Sequence, residues 1–443
     1  MVFFRGIIFS FFMSLLVPVC AQSPDPSPSL DTAPLVQWFD GALESKAKEL
    51  GIPGFAAGVI HKGNVVMKKL YGVRSLATGE VIEPHTVFQL GSVSKTLTGA
   101  LMGVLLQKQM IHFEKPISPY VSNFDYCPET LTLKHVLTHT SGLPRFGFNS
   151  LIESEQHSRD GIFNRLARAT PLCEPGMCYD YHNAAFGLVA PVVEKVTSQS
   201  FEDSLHSHVF EPLDMKTASA SHQSLLEAEN RASPHQKTKT GYTACSKYRH
   251  GYYEVAPAGG VNASLEDMLK FLNAMMGHRP DIIKPDILQV LHTPYTPAKD
   301  LFEKNPGNIN RFKSSSYGIG FRIVDYEGHR IIFHGGWVKG FINIIAFMPE
   351  KDIGLVILQN AETAFPWTMA MSFFDKVIGI EGRVWEKAPL RAKKSTQVRA
   401  LNIAHKKAHS LKTKRDAAQK ENHSIKRRSH SRKARLGNAG GAS

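Results

Sequence analysis

Ser92-Val93-Ser94-Lys95 sets a hydroxyl and an amine three residues apart. Before it stands Gln89-Leu90-Gly91, and behind it Val93, Leu97, Ala100, Leu101, Val104 and Leu105 recur at spacings near three and four. The pattern predicts a helix buried on most of its faces and opened by Ser92. At such an opening the unpaired backbone N–H groups and the helix dipole favour developing negative charge, and a residue at i+3 lies on the same face one turn further in. Lys95 therefore points at Ser92. Burial strips hydration from an ammonium and lowers its pKa, so a neutral Lys95 is able to take the proton of the serine hydroxyl. The same spacing in Ser45-Lys46-Ala47-Lys48 falls in a charged amphipathic pattern with Trp38, Leu43 and Leu50, and reads as a solvated helix face. Spacing alone is not a site; Ser92 needs partners from further along the chain.

Three later segments could supply them. Tyr179-Asp180-Tyr181-His182-Asn183 precedes an apolar helical pattern, and Tyr181 and Asn183 offer a phenol and an amide on a loop able to face Ser92. Phe333-His334-Gly335-Gly336-Trp337 is expected at the end of a strand, where paired glycines let a substrate approach the backbone closely. His135 to Pro144 reads as a helix that stops in a Gly/Pro turn. Within it His135 and His139 stand four apart, but no Glu follows the first and no third ligand is evident, so a structural role is expected and no metal. A Gly-x-Ser-x-Gly nucleophile elbow was not found, which argues against an α/β-hydrolase.

With these segments in this order, the chain resembles the serine β-lactamase and penicillin-recognising family, in particular its class C and D-Ala-D-Ala carboxypeptidase branch. The likeness rests on Gly91-Ser92-Val93-Ser94-Lys95, Leu137-Thr138-His139-Thr140-Ser141-Gly142-Leu143-Pro144, Tyr181-His182-Asn183 and His334-Gly335-Gly336, and extends over roughly residues 34 to 380. It implies that Ser92 is the acylated nucleophile, Lys95 its proton acceptor, Tyr181 the proton shuttle to leaving group and water, and Asn183 a holder of the substrate's amide side chain. The backbone N–H groups of Ser92 and Trp337 would form the oxyanion hole, beside Gly335 and Gly336. No cofactor is implied. Class C members usually carry Lys-Thr-Gly at the third motif; His334 is more like some carboxypeptidases and esterases of the family, and Gly335 lacks a hydroxyl to hold a substrate carboxylate. An imidazole with a reference pKa of about 6.5 changes charge between about pH 5 and 8 unless its surroundings move it. If charged His334 attracts a carboxylate, such substrates should bind worse as pH rises through that window. The expected function is that of an exported serine hydrolase opening β-lactams or related amides and esters through a Ser92 acyl-enzyme. The alternatives are a D-Ala-D-Ala carboxypeptidase or esterase of the same fold, acting on peptidoglycan-type D-Ala peptides, and a non-catalytic penicillin-binding-like protein of the envelope.

Periodicity indicates the elements that must hold these residues. Pro34 to Leu50 reads as an amphipathic helix, and Phe55–Ile60 and Val65–Tyr71 as a hairpin turning at His61-Lys62-Gly63-Asn64. Helical patterns then dominate until Tyr317, where strand-like runs begin: Tyr317–Val324, Arg330–Phe333, Phe341–Met348 and Gly354–Leu358, closed by a helix from Trp367 to Ile378. The expected fold is α/β (α+β) and two-lobed, an antiparallel sheet built from both chain ends and flanked by helices, with an all-helical insertion within roughly residues 100–310.

Composition bounds the rest. The 443 residues are 42% apolar and 21% charged, an ordinary globular balance. Arg5, the apolar run from Ile7 to Val19 and the small-residue pattern ending at Ala21 read as a signal peptide over 1–21, so export to a periplasm or the medium is expected, and the run is too short to span a bilayer. A Pro/Ser linker is expected over 22–33, a hydrolase domain over 34–388 and a basic tail without order over 389–443. The net charge is +13, yet the chain from Arg391 onward carries sixteen Lys/Arg against Asp416 and Glu421, which leaves the preceding residues near neutrality. That tail suits anionic polymers. It has no Phe, Tyr or Trp to stack on bases, so no specific nucleic acid is expected. Cys127, Cys173, Cys178 and Cys245 allow three disulfide pairings, with Pro175-Gly176 able to close a tight loop between Cys173 and Cys178.

Overall fold

Alternation along the strands decides the architecture. In the computed structural model, which describes residues 31–121, 129–298, 300, 311–383 and 385, Phe55, Ala57 and Val59 face one hydrophobic layer while Ala56 and Ile60 face another. Successive side chains of a strand point to opposite faces, so a strand buried along its whole length needs cover on both sides. The regions read as signal peptide and basic tail, and Cys127, lie outside the described residues.

The chain begins with α1 (Thr32–Leu50), β1 (Gly54–His61), β2 (Asn64–Gly72), β3 (Phe88–Gln89) and α2 (Ser94–Gln107). A mostly helical stretch follows: α3 (Leu133–Leu137), α4 (Phe148–Ser154), α5 (Arg159–Ala167), α6 (Asn183–Gly187), α7 (Val189–Thr197), α8 (Phe201–Leu205) and α9 (His222–Glu227). Next come β4 (His235–Lys237), β5 (Tyr242–Ala244), α10 (Ala256–Gly259), β6 (Asn262–Ala263), α11 (Leu265–Met275) and α12 (Pro285–Leu291). The chain then returns to strands, β7 (Thr296–Pro297), β8 (Phe312–Tyr317), β9 (Arg322–Tyr326), β10 (His329–Val338), β11 (Phe341–Met348) and β12 (Ile353–Gln359), before α13 (Phe365–Val377).

Eight strands form one sheet in the order β2-β1-β12-β11-β10-β9-β8-β7, antiparallel at each junction. The amino-terminal hairpin thus completes a sheet otherwise made by the carboxyl-terminal strands, as the two-ended pattern implies. One face is covered by α1 and α13, whose Phe39, Leu43, Phe373 and Phe374 pack on Phe55, Ile344, Leu355 and Ile357. The other face meets α2 and α11 through Ile60, Ile345, Phe347, Val356 and Leu358. The insertion is not all-helical as expected: it contains the β4–β5 ladder, and β6, which pairs with β3 from ahead of α2.

Several boundaries differ from the periodic reading. Asp31 caps α1 by accepting from the Ala33 N–H at 3.1 Å, so the helix starts at Thr32 and takes in the last two residues of the segment read as linker. The run Tyr317–Val324 is two strands, because Gly318 to Phe321 turns the chain with Gly320 at φ +79, a conformation glycine tolerates. A Cβ at Gly320 would stand 2.2 Å from the Lys95 carbonyl oxygen, so that turn rests directly on α2. Ser264 and Asp267 form the capping box expected at the start of α11.

Phe39 is fully buried with its ring 4.8 Å from that of Phe373. Phe39→Ala is expected to cost about 3–5 kcal/mol of folding free energy, measured by chemical denaturation. An unchanged midpoint would mean that α1 is not needed to cover this face of the sheet.

Candidate active site

Ser92 lies one turn ahead of the α-helix, not at its first residue: Gly91–Val93 is a single 3-10 turn and α2 opens at Ser94. The turn is gripped from several sides. Leu90 N–H donates to the Val261 carbonyl at 2.9 Å, and the Val261 N–H donates to Ser94 Oγ at 2.9 Å. On the sheet side the contact is backbone to backbone. Gly91 has φ +56 and its Cβ would stand 2.6 Å from the Trp337 carbonyl oxygen, while a Cβ on Gly336 would stand 1.9 Å from that of Leu90. Gly336 therefore serves an internal junction, not substrate approach, and of the glycine pair only Gly335 is exposed. The His334–Trp337 segment lies inside β10, which runs on to Val338, and not at a strand end.

Lys95 is completely buried. Its Nζ donates to Asn183 Oδ1 at 2.7 Å and to the Ala258 carbonyl at 2.6 Å, and stands 3.3 Å from Ser92 Oγ. A neutral amine has two N–H groups and one lone pair. The two amide carbonyls use both N–H groups, which leaves the lone pair for the Ser92 hydroxyl. Burial, with the Arg322 guanidinium nearby, holds the Lys95 pKa well below that of a free lysine. Asn183 opens α6, is buried, and donates through Nδ2 to Asn149 Oδ1 at 3.1 Å, which fixes the orientation of its amide.

Tyr181 covers this pair. Lys95 Nζ is 4.8 Å from its ring centroid, and its hydroxyl lies against Ser92 without well-formed hydrogen-bond geometry. Burial pushes the phenol pKa up, opposed by Ser92 and Arg322. Beneath the ring is His139, at 4.3 Å between centroids, with φ +60 and its Nδ1 accepting from the His182 N–H at 3.2 Å. The loop carrying Tyr181 is pinned to the His139–Gly142 segment: Leu172, Gly176 and Asp180 N–H groups donate to the Gly142, Thr140 and His139 carbonyls at 2.8, 2.7 and 3.0 Å. Cys173 and Cys178 close that loop as a disulfide, one of the pairings the sequence leaves open.

His334 does not sit as a charged replacement for lysine. Its Nδ1 faces the Gly335 carbonyl at 2.8 Å, and because a carbonyl only accepts, Nδ1 carries the proton. Nε2 is then the acceptor for the Tyr317 hydroxyl at 2.9 Å. Burial, followed by the nearby Arg322 guanidinium, holds the imidazole pKa well below its ordinary value. The expected charge change between about pH 5 and 8 is thereby displaced downward, and the ring is neutral across that window. Trp337 donates its indole N–H to Glu362 Oε2 at 2.8 Å and walls a cleft of about 400 Å³ that also touches Tyr252, Arg249 and Lys339.

The structure thus brings Ser92, Lys95, Tyr181, Asn183 and the β10 segment to one place. Sequence reasoning missed the supports: Tyr317, Arg322, Asp300, Asn149 and the Ala258 carbonyl. His139 was read as structural, which agrees with its place under Tyr181. Arg322 had a visible signal, a charge inside the apolar run Tyr317–Val324, but its partner Asp300 comes from before β8. The two form a bidentate pair at 2.9 and 2.8 Å.

The sheet, the helical lobe and a serine beside a buried lysine at a helix mouth define a serine-hydrolase fold. A sequence model of the Beta-lactamase family matches residues 39–368, and the chain belongs to that family. It is 25% identical over 331 residues to a beta-lactamase of Escherichia coli, covering 70% of this chain and 84% of that one. It is 23% identical to an unguisins hydrolase of Aspergillus campestris and to protein flp of Staphylococcus aureus, over 75% and 74% of this chain. The matches span less than two thirds of those two proteins' own lengths, 62% and 64%. The octameric penicillin-binding protein homologue from Pyrococcus abyssi shares the fold, with a TM-score of 0.69, 22% identity and 78% coverage of both chains. Among the described residues no helix is long and apolar enough to cross a membrane.

His182 makes the site's frame sensitive to acid. Its Nδ1 accepts from the Ala185 N–H at 3.3 Å and so caps α6, the helix that begins with Asn183, and burial lowers its pKa to about 3. His292, also buried, is lowered to about 3. A histidine depressed in the folded state stabilises it fully above the unfolded pKa of about 6.5, and that contribution is lost as pH falls toward the folded pKa. The melting temperature is therefore expected to fall between about pH 6.5 and 3, and His292→Leu to flatten the slope. Equal slopes in wild type and variant would rule out this source.

Proposed function

We propose that the chain is a hydrolase that transfers an acyl group from a β-lactam or a related amide or ester to Ser92, and then to water. The observation that carries this reading is the amine of Lys95, buried, with both N–H groups used by amide carbonyls and Ser92 Oγ at 3.3 Å. Lys95 takes the hydroxyl proton as Ser92 attacks the carbonyl carbon. Tyr181 passes a proton to the leaving group and later withdraws one from the deacylating water. The N–H groups of Ser92 and Trp337 receive the developing oxyanion, an assignment supported by the junction of the Gly91 turn with β10. Asn183 orients Lys95 and offers its amide to the substrate.

In the same reading residues 34–388 are the hydrolase domain, preceded by a signal peptide and linker that direct export, and followed by a basic tail. The third motif favours substrates without a carboxylate at that position. His334 is neutral and committed to Tyr317, and Gly335 has no hydroxyl, so β10 offers neither a charge nor a donor side chain there. Esters and amides that are neutral at this end are the better-matched class.

Ser92→Ala should abolish acyl transfer, while folding loses at most about 1 kcal/mol, the scale of one capping contact. Intact-mass spectrometry after exposure to a penicillin or an activated ester should find an adduct on wild type and none on the variant. Equal labelling of the two would place the nucleophile elsewhere. A second measurement concerns His334: kcat/KM against pH for a carboxylate-bearing cephalosporin and a neutral ester should give profiles of the same shape between pH 5 and about 8. A selective loss of the cephalosporin through that window would restore a charged imidazole.

A further inference from the structure

Arg322 is buried next to this site, and nothing in the acyl-transfer scheme yet uses it. It opens β9 immediately after the Gly318–Phe321 turn that rests on α2, and it pairs across the ladder with Phe333, the neighbour of His334. Its guanidinium carbon is 5.2 Å from the Tyr181 ring centroid and 5.7 Å from that of Tyr317. Lys95 approaches the same Tyr181 ring to 4.8 Å, so two basic side chains share one aromatic ring in a region with little water.

Two positive charges this near each other inside a protein are costly, and one of the groups gives up its proton. The arrangement decides which. A guanidinium keeps its proton under all ordinary conditions, and Arg322 has a bidentate carboxylate, Asp300, at 2.8 and 2.9 Å. Lys95 faces the Ser92 hydroxyl, the Asn183 and Ala258 carbonyls and the rings of Tyr181 and Phe186, with no carboxylate among its contacts. The other titratable groups around it, His139 and His334, are themselves held neutral by burial first and by the Arg322 guanidinium.

We propose that Arg322 is a positioning residue for the Ser92 reaction: its fixed charge behind Tyr181, attenuated by Asp300, keeps Lys95 in the amine form that accepts the serine proton. Arg322 touches no reacting atom in this scheme. The charge that a lysine in the third motif would place near Tyr181 is supplied here from the adjacent strand, which fits a neutral His334. The direction of the Lys95 shift, down through burial and then through Arg322, agrees with this. The inference rests on the proposed role of Ser92 and Lys95.

The test is the pH dependence of Ser92 acylation by an activated ester and, separately, by a fluorophosphonate probe, followed by intact mass in wild type, Arg322→Met, Arg322→Lys and Asp300→Asn. Acylation needs deprotonated Lys95, so its rate rises as pH passes upward through the Lys95 pKa. Removing the cation should move that acid limb to higher pH, by on the order of one unit. Asp300→Asn removes the attenuating carboxylate and should move it to lower pH. Arg322→Lys keeps a charge and should leave the limb near wild type even where its melting temperature drops. A merely structural role predicts lower rates with no displacement of the limb, and fixed limbs in Asp300→Asn and in Arg322→Met would overturn the proposal; should Arg322→Met not fold, a fixed limb in Asp300→Asn overturns it alone. Failure of wild-type Ser92 to label with either probe would instead remove the nucleophile assignment, and this inference with it.

Discussion

An amine with no exposure to water is the constraint around which the site is built. Lys95 is shut into the interface between α2, α6 and α10, and each element contributes something its neighbours cannot. Helix α2 supplies the side chain, the first residue of α6 the oriented Asn183 carbonyl, and α10 the Ala258 carbonyl. A buried ammonium without a carboxylate partner is expensive, whereas a buried amine with two satisfied N–H groups is not. The fold therefore sets a protonation state, and that state gives the serine hydroxyl a partner.

Much of this was legible in the sequence because it is local. Ser92 and Lys95 are one turn apart, and Tyr181 and Asn183 flank a single helix start, so spacing and capping logic reach them directly. The nearly continuous apolar runs of Phe55–Ile60, Phe341–Met348 and Gly354–Leu358 likewise yielded the sheet, since strands buried on both faces leave a clear mark. What escaped was set by pairing between distant segments. Asp300 meets Arg322 across strand β8, and Tyr317 reaches His334 only because a glycine turn splits what reads as one strand. The neutrality of His334 is similar: a histidine's reference pKa is known from its type, but its shift comes from the packing around it.

The Leu137–Pro144 segment shows how a motif can be recognised before its work is understood. As a sequence it is a helix ending in a turn. In three dimensions its carbonyls receive the loop that carries Tyr181, and His139, at positive φ, supplies the surface on which that tyrosine rests. None of these atoms reaches Ser92, yet the placement of the phenol depends on all of them. The Cys173–Cys178 disulfide closes the same loop on its outer side.

The contact between the Gly91 turn and Gly336 also bears on how such a protein can change. Leu90 and β10 meet through backbone atoms, so the Ser92 turn is registered to the sheet on one side as it is to Val261 on the other. A side chain at Gly91 or at Gly336 would run into the facing backbone, so this junction is closed to substitution at both positions.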